Sequence, residues 1–129
     1  MGKPLVIFQS KASYEPAYQV ASTAAVASAM GDDVLIVLSF EALRAWSQGA
    51  WGTPANPMEI EELARAEKLG ALSPRKMLEE ARKLGARVVA CDTVRKITLG
   101  EDVSSAMLDE VMGLPSIWRL AESGRVLSF

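Results

Sequence analysis

Histidine is absent from this sequence, and cysteine occurs once, at Cys91. Without imidazole there is no Ser-His or Cys-His pair, none of the usual zinc sites and no side chain whose ordinary pKa lies near neutrality. A lone cysteine cannot close an internal disulfide. Aromatic residues make up only 6% of the chain, no apolar run approaches the length of a membrane span, and no charged-then-apolar leader with a cleavage site is recognisable. An excess of one charge is also missing. Fourteen Lys and Arg against 16 Asp and Glu give a net −2, which offers no polybasic surface for nucleic acid or anionic lipid. The chain therefore reads as cytosolic, with no direct nucleic-acid or membrane binding, and any chemistry it performs must work without histidine.

What is present suits one domain over residues 1–129, half of them hydrophobic and enough to bury a core without metals or disulfides. Leu5-Val6-Ile7-Phe8 and Val34-Leu35-Ile36-Val37-Leu38 are short apolar runs without alternation, as expected of strands buried on both faces. Between them lies an alanine-rich helix from Tyr14 to Met30, with Ser13 as N-cap, Gly31 as stop and Ala17, Val20, Ala21, Ala24 and Ala25 on one face. Phe40 to Trp46 and Met58 to Leu69 read as helices. A Gly/Pro loop at 49–57 separates them, long enough to suggest a binding, lid or interface role. Ser73-Pro74 starts another helix, whose stripe is Met77, Leu78, Ala81 and Leu84 and whose stop is Gly85. Residues 86–90 form a third strand. Beyond it come a short helix to Leu99, a turn at Gly100-Glu101-Asp102, a second helical piece to Leu108, a short strand at 110–112, a helix at 115–122 and a terminal strand at 125–129. Such β-α alternation predicts an α/β fold with a mainly parallel five-stranded sheet and helices on both faces.

Cys91 falls where the third apolar run stops and Asp92-Thr93-Val94-Arg95-Lys96 begins, at the carboxyl end of a buried strand. Ligands bind along this edge of an open α/β sheet, where the following helices present unpaired N–H groups. A thiolate there is stabilised by those donors, with Arg95 and Lys96 about one turn further on to attract an anion and Asp92 opposing them. The other reading is that Cys91 simply packs as a small hydrophobe. Ser10, Lys11 and Ser39 end the first two strands and should share the edge with Cys91. Trp51, in the Gly/Pro loop, is the candidate lid or oligomer anchor, whereas Trp46 and Trp118 occupy helical positions and read as core or interface packing. Glu59, Glu61, Glu62, Glu67, Glu79 and Glu80 sit on amphipathic helices among lysines and arginines, so most of them read as solvated-face residues. Gly49-Ala50-Trp51-Gly52 lacks the lysine of a P-loop, and no phosphate-cradling loop follows the first strand. No cofactor is expected, a flavin included.

The stretch Leu84-Gly85-Ala86-Arg87-Val88-Val89-Ala90-Cys91, the acidic pair Glu101-Asp102, the closing Arg125-Val126-Leu127-Ser128-Phe129 and the earlier Gly31-Asp32-Asp33-Val34-Leu35-Ile36-Val37-Leu38-Ser39-Phe40 together resemble the DsrE/DsrF-like (TusD-like) sulfur-transfer family over nearly the whole chain. One departure is Glu41-Ala42-Leu43 after the second strand, where many members have an acidic residue and glycine. The resemblance implies a flavodoxin-like three-layer sandwich. It also implies a cysteine at position 91 that carries sulfur as a persulfide or related adduct, receives it from a donor and passes it to a TusA-like acceptor, and homo-oligomers, typically trimers or hexamers, or hetero-oligomers of related subunits. A non-catalytic oligomeric scaffold, with a ligand pocket at the sheet edge and Cys91 only packing, remains the alternative.

Overall fold

The computed structural model describes residues 2–100 and 107–129. In chain order the elements are β1 (Pro4–Gln9), α1 (Tyr14–Ala29), β2 (Asp33–Leu38), α2 (Phe40–Ser47), α3 (Pro57–Lys68), α4 (Pro74–Lys83), β3 (Arg87–Cys91), α5 (Asp92–Leu99), β4 (Glu110–Met112), α6 (Leu114–Glu122) and β5 (Arg125–Ser128). The expected acidic turn at Glu101-Asp102 and most of the second helical piece lie outside the described residues.

All five strands are parallel, in the order β4-β3-β2-β1-β5. The central strands are continuous apolar runs because both their faces are covered: Val34 through Leu38 are all buried. Each buried Leu, Ile or Val side chain contributes about 1.5–3 kcal/mol through the surface it removes from water. Alternation divides them into two cores. Leu5, Ile7, Val34, Ile36, Leu38, Val88 and Ala90 face α1, α2 and α4, with Val94 and Leu99 of α5 packed alongside. Val6, Leu35, Val37 and Val89 face Ile117 and Ala121 of α6, the one helix among the described residues that covers this side.

The layers form the expected flavodoxin-like α/β sandwich, with the helices shared unequally between its faces. Alanine makes the crowded face possible, since Ala17, Val20, Ala21 and Ala24 are fully buried and let α1 lie close to sheet and α4. The predicted α4 stripe is shorter than its sequence suggests. Leu78 and Ala81 are buried, but Leu84 at the C-cap is largely exposed because the chain turns away there into β3. No helix among the described residues is long and apolar enough to cross a membrane.

Candidate functional site at the carboxyl edge of the sheet

Cys91 ends β3 and is the N-cap of α5, with extended backbone angles (φ −68°, ψ 134°). Its side chain follows Val89 onto the α6 face and packs against the smaller core, half-buried. α5 sends its own apolar residues to the opposite face. The thiol thus sits between the first turn of one helix and the side of the sheet protected by one helix only. Met112 of β4 is its register partner on one flank. On the other flank the β2–β3 pairing runs from Leu35–Arg87 to Val37–Val89, and each chain then passes into a helix cap, Ser39 before α2 and Cys91 before α5.

Ser39 is extended and caps α2 by position, but its hydroxyl donates to the Gln9 carbonyl at 3.3 Å. Phe40 then takes a left-handed backbone angle, φ 46°, with its ring about half exposed. A bulky residue in this region is strained, and such strain concentrates at functional sites. Nothing in the sequence marks it, because an aromatic after a strand reads as an ordinary helix start.

Arg95 and Lys96 are not two free charges on the helix that Cys91 caps. Both reach back along α5 to Asp92, at 3.3 Å each. Hydrogen bonds from Arg95 first and Lys96 second hold the Asp92 carboxyl below its usual range. The expected opposition between acid and bases is therefore an internal ion triad, with Arg95 mostly covered and Lys96 about half exposed.

Ser10 and Lys11 end β1 on the same edge, but β2 lies between them and Cys91, a gap of about 10 Å at ordinary strand spacing. Both are exposed. The Lys11 carbonyl accepts from Gln9 Nε2 at 2.8 Å, and the Ser10 N–H donates to the Phe129 carbonyl at 2.9 Å. Strand order sets β2, and Ser39 after it, between β1 and β3, and leaves Ser10 and Lys11 two strands from Cys91.

Trp51 is the clearest correction. It is 0% exposed, so it cannot serve as a surface lid or anchor, and its indole N–H donates to the buried Gln9 Oε1 at 3.0 Å. Trp46, half-buried, meets it edge-on at 5.6 Å between ring centres. Trp118, expected in core or interface packing, is 61% exposed on α6 and so takes no part in this chain's core. Gly/Pro content made the 49–57 segment read as an open loop, yet it is fastened to the chain after β1. The Gly52 N–H donates to the Ala12 carbonyl at 2.8 Å, and Gly52 itself has φ +83°, a conformation L residues rarely adopt.

Glu59 is an exception among the helix glutamates. It is 1% exposed rather than solvated. Its carboxylate accepts from the N–H groups of Glu15 and Ala55, each at 2.8 Å, and from the Ser13 hydroxyl at 3.1 Å. Ser13 stands at the N-cap of α1 without capping it, and Glu59 supplies the acceptor that helix lacks. Burial pushes the Glu59 carboxyl up, but the hydrogen bonds from Glu15, Ala55, Ser13 and Tyr14 together hold it below its usual range. The signal legible in sequence was the Asn56-Pro57 start of α3, which sets Glu59 at the position where Asn56 Oδ1 accepts its N–H at 2.9 Å.

The described residues contain no group of three or more His, Cys, Asp or Glu side chains placed to hold a metal ion. The site offers one nucleophile, Cys91, and neighbouring main-chain donors.

No family model and no curated protein sequence matches this chain. Among solved structures it is similar to the crystal structure of the ychN protein from E. coli, with a TM-score of 0.59 and 18% identity over the whole of both chains. That likeness at that identity establishes the architecture: an α/β sandwich, shared end to end with the ychN protein, that carries Cys91 at the carboxyl edge of its parallel sheet.

Proposed function

We propose that this chain is a cytosolic sulfur carrier, a sulfurtransferase-type subunit that holds sulfur covalently on Cys91 and hands it to a partner protein. The observation that carries the reading is the position of Cys91, the sole cysteine, half-buried where β3 ends and α5 begins, on the thinly covered face of the sheet. The sequence resemblance to the DsrE/DsrF-like family and the full-length likeness in fold to the ychN protein support it.

The chemistry balances without histidine or an outside oxidant. The Cys91 thiolate attacks the terminal sulfur of a donor persulfide, the donor S–S bond breaks, the donor thiolate leaves, and Cys91 holds the sulfur as a persulfide. A thiolate of a TusA-like acceptor then attacks that outer sulfur and Cys91 leaves as thiolate. The transferred sulfur keeps its oxidation state at both steps. The first N–H groups of α5, which follow Cys91 directly, are the main-chain donors nearest in sequence to a charged sulfur. The carrier works as a homo-oligomer of three or six subunits.

One observation favours a second reading, an oligomeric scaffold with Cys91 as packing: Arg95 and Lys96, the cations of the helix that Cys91 caps, are both paired with Asp92. Alkylation of the native protein with a small neutral reagent separates the two. Cys91 reacts in the folded state if it carries sulfur, and reaction only after denaturation contradicts the carrier reading.

A further inference from the structure

Tyr14 and Tyr18 stand one turn apart at the start of α1, their ring centres 5.8 Å apart and the planes tilted by 51°. With Glu15 and Gln19 they line a groove of about 480 Å³, shared with Glu62 and Ala66 of α3. That volume lies in the range of small-ligand sites, about 300–1,000 Å³. The groove belongs to the α1 side of the sheet, whereas Cys91 packs on the α6 side. Its charge has one sign. No lysine or arginine lines it, and no ion pair among the described residues uses Glu15, Glu62 or Glu67. The Tyr14 hydroxyl is held above its usual range by burial first, then by Tyr18, Glu62 and Glu67. Glu59, the buried carboxylate nearby, is satisfied by main-chain N–H groups and the Ser13 hydroxyl. Glu62 is not, since its Oε1 is buried without a hydrogen-bond partner. Its neighbour Glu15 is a second carboxylate, and the two can hydrogen-bond only by holding a proton between them. That bond first, then the Glu62 charge, burial and Glu59, keep the Glu15 carboxyl above its usual range.

We infer that this groove binds a small organic cation with N–H donors, a primary amine, held by the Glu15 and Glu62 carboxylates and the two tyrosine rings. A buried carboxylate oxygen without a donor is costly, and an ammonium N–H supplies that donor as a charge-assisted bond. Aromatic faces attract the same positive charge, more strongly where water is displaced. A metal ion suits the groove less well, because no group of three or more ligating His, Cys, Asp or Glu side chains exists among the described residues. A quaternary ammonium brings charge without N–H groups and leaves Glu62 Oε1 as it was. The amine takes the place of the proton between the two acids, so its affinity rises with pH as Glu15 ionises.

Calorimetric titration of the full chain with 1,4-diaminobutane tests the inference. Wild type binds it saturably at a single class of site. Glu62→Gln and Tyr18→Leu, each checked for folding by circular dichroism, weaken binding by about tenfold or more, as does replacing the diamine with tetramethylammonium. Glu79→Gln makes the same change of charge on the exposed side of α4 and leaves binding as it was. No saturable binding at millimolar diamine overturns the site, and so does an equal loss in Glu79→Gln and Glu62→Gln, which would reveal attraction to overall charge alone. Tetramethylammonium binding as tightly as the diamine overturns the requirement for N–H donors. The groove does not include Cys91, so none of these results alters the sulfur-carrier reading.

Discussion

Trp51 and Gln9 are joined inside the protein, the indole Nε1 donating to the amide Oε1 at 3.0 Å with both side chains fully buried. The amide's other end holds the Lys11 carbonyl at 2.8 Å. One buried contact thus ties the end of β1, the loop after it and the 49–57 segment. Replacing Trp51 with Phe keeps most of the packing but leaves Gln9 Oε1 without a donor, at a cost of about 1–3 kcal/mol. Chemical denaturation should show that loss, and the double variant with Gln9→Leu should recover part of it.

Trp51 and Trp118 differ sharply in burial, and fluorescence checks this directly. Trp118→Phe removes the emission that iodide or acrylamide quenches most easily, whereas Trp51→Phe removes emission that they barely reach.

Glu59 makes folding sensitive to acid. Its folded-state pKa is depressed, so the stability it supplies is complete above the ordinary glutamate range and is lost as pH falls through the lowered value. Glu59→Gln should flatten that part of the stability–pH curve. Glu59→Ala should cost about 2–4 kcal/mol at neutral pH by stranding the Glu15 and Ala55 N–H groups.

Asp92 offsets one of the two positive charges that Arg95 and Lys96 bring to the helix capped by Cys91. Asp92→Asn frees them, so Cys91 should react faster with an anionic disulfide reagent relative to neutral iodoacetamide, by roughly threefold at low salt and less as salt rises. An unchanged ratio would mean that Arg95 and Lys96 do not act on the approach to Cys91.

Phe40 is strained and half exposed, so Phe40→Gly relieves the backbone while giving up little burial. The denaturation midpoint should rise by the equivalent of about 1 kcal/mol. If the strain serves the site beside Ser39, sulfur loading of Cys91 slows in the same variant.

The sheet was legible because its strands are short apolar runs between turn signals: Val34 to Leu38 could be little else, and the placement of Cys91 at a strand end followed from where such a run stops. The resemblance drawn from those runs led to the same sandwich that the ychN protein shares. Side-chain roles were legible only where local pattern decides them. Trp51 stands in a Gly/Pro segment, and Glu59 among charged helical residues, so local composition argues for exposure in both cases. A contact 42 residues away buries the first, and α1 N–H groups more than 40 residues away hold the second. Phe40 was illegible for another reason, since backbone strain leaves no compositional trace. Ser10 and Lys11 show the limit of edge reasoning: strand ends share an edge, but strand order sets which of them meet, and β2 with its Ser39 occupies the place beside β3.

The central claim is that Cys91 carries sulfur, and intact mass measurement tests it most directly. Wild-type protein incubated with a small persulfide or polysulfide and freed of excess reagent should gain the mass of one sulfur atom, lose it on treatment with a thiol reductant, and gain nothing when Cys91→Ser is used. A folded wild-type protein that gains no sulfur, or a Cys91→Ser variant that gains as much, would contradict the account.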